Sequence, residues 1–328
     1  MIYNSLNDVA DNFDLFLFDA YGVFWEGNGF YHNSRETMAE LVKKDKTVVV
    51  ISNTTMLQPD LVKSYANRGI YEGKEYNYLI TSGDLLRHNL LNENIHFAKC
   101  ARPEKYYVIG QPHNKAFAQT KYVRVENLEE ADFVYCGVPF LTLEYVQKYP
   151  QYKSEYWPVS QDEKGNIYRW DTLTPAPFID IINKVAELKL PALNANPDFT
   201  AKEGHPLVPD SSAVFVVRNG TIAELLRQAG NEVLEYGKPH NNIYDYVFTC
   251  LQKEGININK ARTCMIGDTV RTDVKGAVNA GVSPVLCVKT GVCAEEIARG
   301  NTLENLCNAE NIELKQIIQI NSVGGYEK

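Results

Sequence analysis

The apolar residues of this chain fall into short unbroken runs that end in polar or glycine-containing turns. Residues 15–18 form one such run, and residues 47–51 and 263–268 are predicted strands built around similar runs. Such runs are typical of strands buried on both faces of a parallel sheet. Between them, residues 36–44 and 242–254 place apolar side chains on one helical face. The alternation of strand and helix predicts an α/β protein with right-handed crossovers and a Rossmann-like three-layer core built on a parallel sheet.

The alternation of strands and helices changes in the middle of the chain. Two further predicted strands, each followed by glycine, lie at 106–110 and 132–137, and the first pattern of strands and helices resumes from Val233. We therefore predict a core domain formed by residues 1–86 and 233–328, with an inserted α/β domain at 87–232. The linkers are not marked by composition.

Two stretches of the inserted segment lack a clear period. Residues 148–173 are rich in Tyr and Trp, with turn-forming residues at 162–166. Their aromatic side chains favour a domain core or an oligomer contact over a base-stacking surface, since basic residues do not interleave with them. Residues 199–213 are predicted to be a loop.

Composition narrows the class of protein. The chain has 328 residues, of which 45% are hydrophobic, and this supports a folded core of about two domains. The net charge of −8 and the absence of a long Lys/Arg run argue against a nucleic-acid partner. No apolar run approaches the ~20 residues that span a bilayer. Seven scattered cysteines fit a reducing compartment, so we expect a cytoplasmic protein without a membrane anchor.

Polar side chains follow several of the predicted strands. They are Asp19, Ser52, Asn53, Lys238, Asp268 and Asp273. One carboxylate at a strand end is ordinary, but the carboxyl ends of parallel strands meet at one sheet edge, where reactive groups gather. Two carboxylates suit Mg²⁺, and a lysine with a hydroxyl or amide can hold phosphate oxygens. A carboxylate beside a metal and a cation can serve as a nucleophile at phosphorus.

This constellation resembles the haloacid dehalogenase (HAD) superfamily. Asp19, Ser52, Lys238 and the pair Asp268 and Asp273 match its four motifs in order. Three further segments are similar to subfamily IIA, the group of NagD-like and p-nitrophenyl phosphatase proteins. They are Asn196-Pro197-Asp198, Gly237-Lys238-Pro239 and Thr290-Gly291-Val292. The resemblance covers nearly the whole chain and implies that the inserted domain is a cap that excludes water and contacts the leaving group.

The resemblance also implies a mechanism, Mg²⁺-dependent hydrolysis of a phosphate monoester. Asp19 would attack phosphorus and form an aspartyl-phosphate. Mg²⁺ would be held by Asp19, the carbonyl of Tyr21 and Asp268, with Asp273 orienting the metal shell.

The remaining motif residues would hold the phosphoryl group. Ser52 and the amide of Asn53 would bind the transferred phosphoryl oxygens, and Lys238 would offset the charge of the nucleophile and the phosphate. The implied partner is a small phosphorylated metabolite, and caps of this family often form homodimers. The sequence does not identify the metabolite.

The chain departs from the family at Tyr21. Family phosphatases carry a second Asp at this position, two residues after the nucleophile, and it protonates the leaving oxygen. General-acid help is typically worth about 10²–10⁴-fold, and an ordinary phenol, with a pKa near ~10, does not simply replace it. A catalytically impaired HAD-like protein that binds a phosphorylated ligand is therefore an alternative function.

A second alternative is an L-2-haloacid dehalogenase, because Asp19-Ala20-Tyr21-Gly22 is similar to the first motif of those enzymes. They attack carbon with the same Asp and use no metal. Two features disfavour this alternative. Dehalogenases lack the full acidic fourth motif, and their helical cap is inserted elsewhere in the chain.

Overall fold

The computed structural model describes residues 1–26, 29–111, 115–204 and 214–325. The chain forms two compact units. The first contains residues 1–53, 57–82 and 237–328, and the second contains residues 54–56 and 83–236. The sequence analysis places the boundaries at 86/87 and 232/233, whereas these units meet at 82/83 and 236/237. The roles of the units as hydrolase core and substrate-specificity cap stay predictions.

Strands and helices alternate along most of the chain. The strands are β1 (Ile2–Tyr3), β2 (Leu15–Phe18), β3 (Trp25–Glu26), β4 (Gly29–Phe30), β5 (Thr47–Ser52), β6 (Tyr78–Thr81), β7 (Lys105–Ile109), β8 (Val123–Arg124), β9 (Phe133–Cys136), β10 (Leu141–Thr142), β11 (Tyr156–Gln161), β12 (Ile167–Thr172), β13 (Ala192–Asn194), β14 (Thr200–Glu203), β15 (Val214–Val217), β16 (Val233–Glu235), β17 (Thr263–Gly267), β18 (Ser283–Cys287) and β19 (Ile318–Ile320). The α-helices are α1 (Ser34–Lys43), α2 (Gln58–Asn67), α3 (Ser82–Leu91), α4 (Leu143–Lys148), α5 (Ile179–Leu188), α6 (Asn219–Gln228), α7 (Asn241–Lys253), α8 (Lys275–Ala280), α9 (Gly291–Ala298) and α10 (Leu303–Ala309). A π-helical turn, Val270–Val274, precedes α8.

The first unit is built on a seven-stranded sheet in the order β1-β19-β18-β17-β2-β5-β6. Every neighbouring pair in it is parallel. Strand β2 lies between β17 and β5, and its four apolar side chains are all buried. Burying each such side chain stabilises the fold by about 1.5–3 kcal/mol. The prediction of an α/β fold with a parallel-sheet core is confirmed.

This topology decides where the polar strand ends meet. Because β5, β2 and β17 are parallel neighbours, their carboxyl ends share one edge of the sheet. Asp19 directly follows β2, Ser52 ends β5, and Asp268 follows β17. The edge therefore collects the first, second and fourth motifs.

Strand β16 corrects one part of the sequence analysis. The residues before Lys238 were assigned to the core sheet, but β16 pairs with β13 in the five-stranded sheet of the second unit. The chain enters the first unit only at Gly237. Lys238 is therefore not carried on a strand of the sheet that carries Asp19, and other contacts must hold it in place.

The second unit contains a five-stranded parallel sheet in the order β16-β13-β9-β7-β8 and a three-stranded antiparallel sheet, β10-β12-β11. The aromatic segment of the sequence supplies β11 and β12. Strands β14 and β15 form an antiparallel pair, so the predicted loop at 199–213 is wrong for residues 200–203. Residues 205–213 of that prediction lie outside the described residues.

A buried ion cluster joins three elements of the second unit. Nη1 of Arg218, at the start of α6, lies 2.6 Å from Oδ1 of Asp171 in β12, and Nη2 lies 2.6 Å from Oε1 of Glu203 in β14. Arg218 also stacks over the ring of Phe140. Burial raises the pKa of the Asp171 carboxyl to about 6, and the attraction of Arg218 offsets this only in part.

In the part of the chain that the structure describes, no helix combines the length and the apolar character needed to cross a membrane.

Candidate active site

Asp19 lies at the point where the buried strand β2 opens into a turn. Its backbone N–H donates to the carbonyl of Ile266 in β17 at 2.9 Å, so the parallel pairing continues one residue past the strand. The Asp19 side chain is 19% exposed. A carboxylate held by its backbone and still partly open to solvent has the position that a nucleophile requires.

Lys238 joins two of the acidic residues. Its Nζ lies 2.8 Å from Oδ1 of Asp19 and 2.9 Å from Oδ1 of Asp273. The Lys238 side chain is only 2% exposed. Burying an ammonium is costly unless it is paired, and the two carboxylates supply that pairing.

The backbone of Lys238 is held by the side chain of Asn53. Nδ2 of Asn53 donates to the carbonyl of Lys238 at 3.0 Å, and the N–H of Lys238 donates to Oδ1 of Asn53 at 2.7 Å. Both residues are buried. The side-chain amide of Asn53 thus bonds both the N–H and the carbonyl of Lys238, as the backbone of a neighbouring strand would. It links the turn after β5 to the third motif.

Asp273 is placed by the π-helical turn. Its Oδ2 accepts from the backbone N–H groups of Asp268 and Thr269, at 3.2 and 3.1 Å. The N–H groups of Asp273 and Val274 both donate to the carbonyl of Thr269. The widened turn therefore folds the Asp273 carboxylate back over the start of its own segment, and π-helical turns are frequent at functional sites.

Asp268 is enclosed on one side by backbone. Its Oδ2 accepts from the N–H of Val292 at 2.6 Å. A Cβ on Gly22 would lie 2.1 Å from this oxygen, and one on Gly291 would lie 2.0 Å from it. Both glycines have positive φ, 78° and 62°, so any other residue would clash as well as strain the backbone.

The three carboxylates form one group. Single oxygens of Asp19, Asp268 and Asp273 all lie within 4.8 Å of one another. Burial, followed by the charges of Asp273 and Asp19, raises the pKa of Asp268 well above its usual range. Carboxylate oxygens gathered in this way fit a hard divalent cation such as Mg²⁺, whose charge would relieve their repulsion.

Two predicted site residues are less enclosed. Ser52 is half-buried at the end of β5, where it pairs with Thr81 of β6. Tyr21 is 40% exposed, and it forms an isolated bridge with Trp25. The geometry brings Asp19, Lys238 and the two acids of the fourth motif together. The role of each site residue stays a prediction.

Sequence reasoning missed the residues that support the site. The sequence analysis assigned the amide of Asn53 to the phosphoryl group and did not predict that its side chain holds the backbone of Lys238. Oγ1 of Thr290 donates to the carbonyl of Gly22 at 2.6 Å. Thr290 was noted only as part of a family segment, and no periodic signal marks it, because its partner lies far away in the sequence.

Two buried tyrosines flank the cluster. Burial raises the pKa of Tyr65, and the nearby charge of Asp19 raises it further. Burial also raises the pKa of Tyr244, where Lys238 acts in the opposite direction and Asp273 and Asp19 add to the rise. Both phenols therefore stay protonated beside the carboxylates. Their helical spacing is that of core residues, so the sequence offered no reason to single them out.

Comparison with known proteins agrees with this geometry. A family model described as haloacid dehalogenase-like hydrolase matches residues 16–123, and one described as HAD-hydrolase-like matches residues 235–308. Phosphoglycolate phosphatase 2 of Arabidopsis thaliana is 24% identical over 315 residues, which cover 92% of this chain and 91% of that protein.

Solved structures share the fold over nearly the whole chain. A haloacid dehalogenase-like hydrolase from Brucella suis 1330 has a TM-score of 0.70 and 21% identity, and the match covers 99% of this chain and 100% of that one. NagD from E. coli K-12 has a TM-score of 0.56 and 16% identity, with 96% and 99% covered. The four motifs of this chain and the two family models show that it belongs to the haloacid dehalogenase superfamily of hydrolases, and it shares its fold with NagD.

Proposed function

We propose that this chain is a Mg²⁺-dependent phosphatase that hydrolyses a small phosphate monoester through an aspartyl-phosphate. The observation that carries the proposal is the convergence at one sheet edge of Asp19, Lys238, Asp268 and Asp273. Three carboxylates around a buried lysine are costly to hold together in a folded protein. A phosphoryl-transfer site with a divalent cation needs this combination of groups.

The reaction begins with Asp19. One carboxylate oxygen attacks phosphorus, the bond between phosphorus and the ester oxygen breaks, and that oxygen leaves with the bonding electron pair. Water then attacks the phosphorus of the aspartyl-phosphate, which releases inorganic phosphate and restores the Asp19 carboxylate. Because Lys238 is already 2.8 Å from Asp19, it orients the nucleophile without rearrangement.

The proposed metal ligands are Asp19, the carbonyl of Tyr21 and Asp268, with Asp273 supporting them. Mg²⁺ bound there supplies positive charge against the phosphoryl oxygens and the three carboxylates. Ser52 and the backbone N–H of Asn53 are proposed to hold the transferred phosphoryl oxygens.

Tyr21 favours a second candidate function, binding of a phosphorylated ligand without turnover. A leaving oxygen needs a proton unless it is a stable anion, and Tyr21 occupies the position of the acid that other family phosphatases use. Such a protein would keep the cation site and Lys238 but release no phosphate. A metal-free dehalogenase is disfavoured, because carboxylate oxygens of Asp268 and Asp273 lie close enough to one of Asp19 for the three to share a metal ion.

Phosphate release decides between these functions. The protein is assayed on 4-nitrophenyl phosphate and a panel of phosphorylated metabolites, with Mg²⁺ or with EDTA. We expect turnover with Mg²⁺, none with EDTA, and none for the Asp19→Asn variant. Asp14→Asn is the matched control, because Asp14 precedes the same strand at its opposite end and pairs with Arg262 and Lys46.

Two outcomes would contradict the proposal. Tight phosphate binding without metal-dependent release would support the ligand-binding function instead. Chloride release from 2-chloropropionate in EDTA would support a dehalogenase.

The substrate and assembly of the enzyme are part of the same proposal. We propose a small phosphorylated metabolite as substrate, the second unit as the cap domain that selects it, and a homodimer formed through that unit. Cytoplasmic location stays a prediction. Light scattering coupled to size-exclusion chromatography tests the dimer, since the full chain and its isolated second unit would both elute at twice their chain mass.

A further inference from the structure

The loop that carries Tyr21 is fixed by two hydrogen bonds on successive peptides. The N–H of Gly22 donates to the carbonyl of Trp25 at 2.8 Å. In a trans peptide the N–H and C=O point in opposite directions, so this bond also sets the direction of the Tyr21 carbonyl. The carbonyl of Gly22 in turn accepts from Oγ1 of Thr290 at 2.6 Å. Thr290 is buried, and it lies far from the loop in sequence.

The residues after Thr290 act on the other acidic motif. The N–H of Val292 donates to Oδ2 of Asp268, and the N–H of Cys293 donates to the Asp268 carbonyl at 2.9 Å. The close approach of Gly291 leaves that side of the carboxylate without free space. Oδ2 is thus confined, and Oδ1 accepts from the hydroxyl of Thr269 at 3.3 Å.

We infer that Thr290–Val292 is a positioning segment that fixes two cation ligands at once. Thr290 holds the loop whose Tyr21 carbonyl faces the cation, and Val292 confines one oxygen of Asp268 so that Oδ1 is the oxygen presented. The inference rests on the proposed function for the identity of the cation. It goes beyond that function because it assigns Thr290, a residue outside the proposed cation and phosphoryl ligands, to the geometry of the site.

The consequence is selectivity as well as affinity. Mg²⁺ requires near-ideal octahedral geometry, whereas Ca²⁺ accepts irregular and larger coordination shells. Loss of a supporting hydrogen bond to a metal ligand typically costs about 10–100-fold in affinity. A loosened loop should therefore weaken Mg²⁺ binding more than Ca²⁺ binding.

The test is calorimetric titration of the full chain with Mg²⁺ and, separately, with Ca²⁺. Thr290→Val keeps the shape of the side chain but removes the hydroxyl, and Thr290→Ser keeps the hydroxyl. We expect Mg²⁺ affinity to fall by about 10-fold or more in Thr290→Val, with a smaller fall for Ca²⁺ and near-normal binding by Thr290→Ser. Thr302→Val is the control, because its hydroxyl accepts from the N–H of Asn305 at the start of α10.

The outcomes separate this inference from the proposed function. A folded Thr290→Val protein that binds Mg²⁺ within twofold of wild type would overturn the positioning role alone, and so would an equal loss for both cations. A wild-type protein that binds no Mg²⁺ would overturn the proposed function and this role with it. If the valine variant does not fold by circular dichroism, Thr290→Ala carries the same expectation, because it removes the hydroxyl without adding atoms.

Discussion

Replacing Asn53 with alanine tests how the third motif is held beside the nucleophile. Lys238 follows a strand of the second unit, yet its ammonium lies at the sheet edge of the first. The Asn53 side chain is the contact that fixes its backbone there, through the bonds at 2.7 and 3.0 Å. We expect Asn53→Ala to lower both the stability of the fold and the rate of turnover.

The size of the stability loss follows from those two bonds. Asn53 is 2% exposed and Lys238 is 1% exposed, so truncation leaves a buried N–H and a buried carbonyl without this partner. Each stranded group costs about 1–3 kcal/mol. Water entering the vacated space would recover part of this, so we expect a loss in the free energy of unfolding of about 2–4 kcal/mol.

The effect on turnover comes from position. Displacing a catalytic group by an ångström can cost about 10²-fold in rate, so kcat on 4-nitrophenyl phosphate should fall by about that factor. The backbone N–H of Asn53, the proposed phosphoryl contact, is unchanged by the substitution. KM for the ester should therefore change much less than kcat.

Asn77→Ala is the control. Oδ1 of Asn77 accepts from the N–H of Val48 at 2.7 Å. Val48 lies near the start of β5, and Asn53 follows the end of the same strand. This variant should lose about 1–2 kcal/mol of stability and keep its kcat. Urea unfolding at fixed Mg²⁺ concentration measures the stability of all three proteins, and steady-state kinetics on the same samples measures kcat and KM.

Two results would refute the reasoning about Asn53. A stability loss below about 0.5 kcal/mol would mean that contacts other than the Asn53 amide, among them the ion pairs to Asp19 and Asp273, hold Lys238 in place. A large stability loss with unchanged kcat would mean that the amide supports the fold without positioning the ammonium.

Two further substitutions test other parts of the chain. Tyr21→Asp should raise kcat/KM on alkyl phosphates by up to about 10²–10⁴-fold, because it restores a proton donor. Tyr21→Phe should leave kcat/KM within a fewfold of wild type. An unchanged kcat/KM in Tyr21→Asp would contradict the assignment of this position to leaving-group protonation. The wild type should lose stability as the pH rises from about 4 to about 6, because folded Asp171, with its pKa raised to about 6, still holds a proton that the unfolded chain has released. Asp171→Asn should lack this loss. The loss in the wild type relative to this variant should reach about 3 kcal/mol across that pH range. It is measured from the difference between the thermal midpoints of the two proteins at each pH. A constant difference across the range would contradict the raised pKa of Asp171.

The fold was predictable where one physical signal dominated. Strands β2, β5 and β17 have buried and mainly apolar residues because both faces of the central sheet are covered, and such residues stand together as short runs in the sequence. Strand β16 has the same local appearance, but its side chains are only half-buried and it belongs to the other sheet. Which sheet a short strand joins depends on distant partners, and no local pattern contains that information.

The site was predictable to the same depth. Asp19, Ser52 and Asp268 follow neighbouring parallel strands, so sheet geometry alone brings them to one edge. The contacts that hold this arrangement were not predictable. Thr290 reaches Gly22 across 268 positions in the chain, and Asn53 reaches Lys238 across 185. The first contact is one hydrogen bond and the second is a pair. Neither produces a periodic pattern in the sequence.

The departure from the family at Tyr21 concerns the leaving group in the first step of the proposed reaction. In the proposed mechanism, Asp19, Lys238 and the fourth-motif acids act where the bond to phosphorus forms, and buried contacts hold them together. Tyr21 keeps its backbone in that arrangement, and only its side chain differs from the family pattern. The energetic cost therefore falls on the leaving oxygen, and it grows as the conjugate acid of that oxygen becomes weaker. Without a proton donor at position 21, the proposed enzyme should favour aryl and acyl phosphates, whose leaving groups are stable anions, over alkyl phosphates. A plot of log kcat/KM against leaving-group pKa should then have a steep negative slope in the wild type and a shallower one in Tyr21→Asp, and equal slopes would mean that a group other than residue 21 delivers the proton.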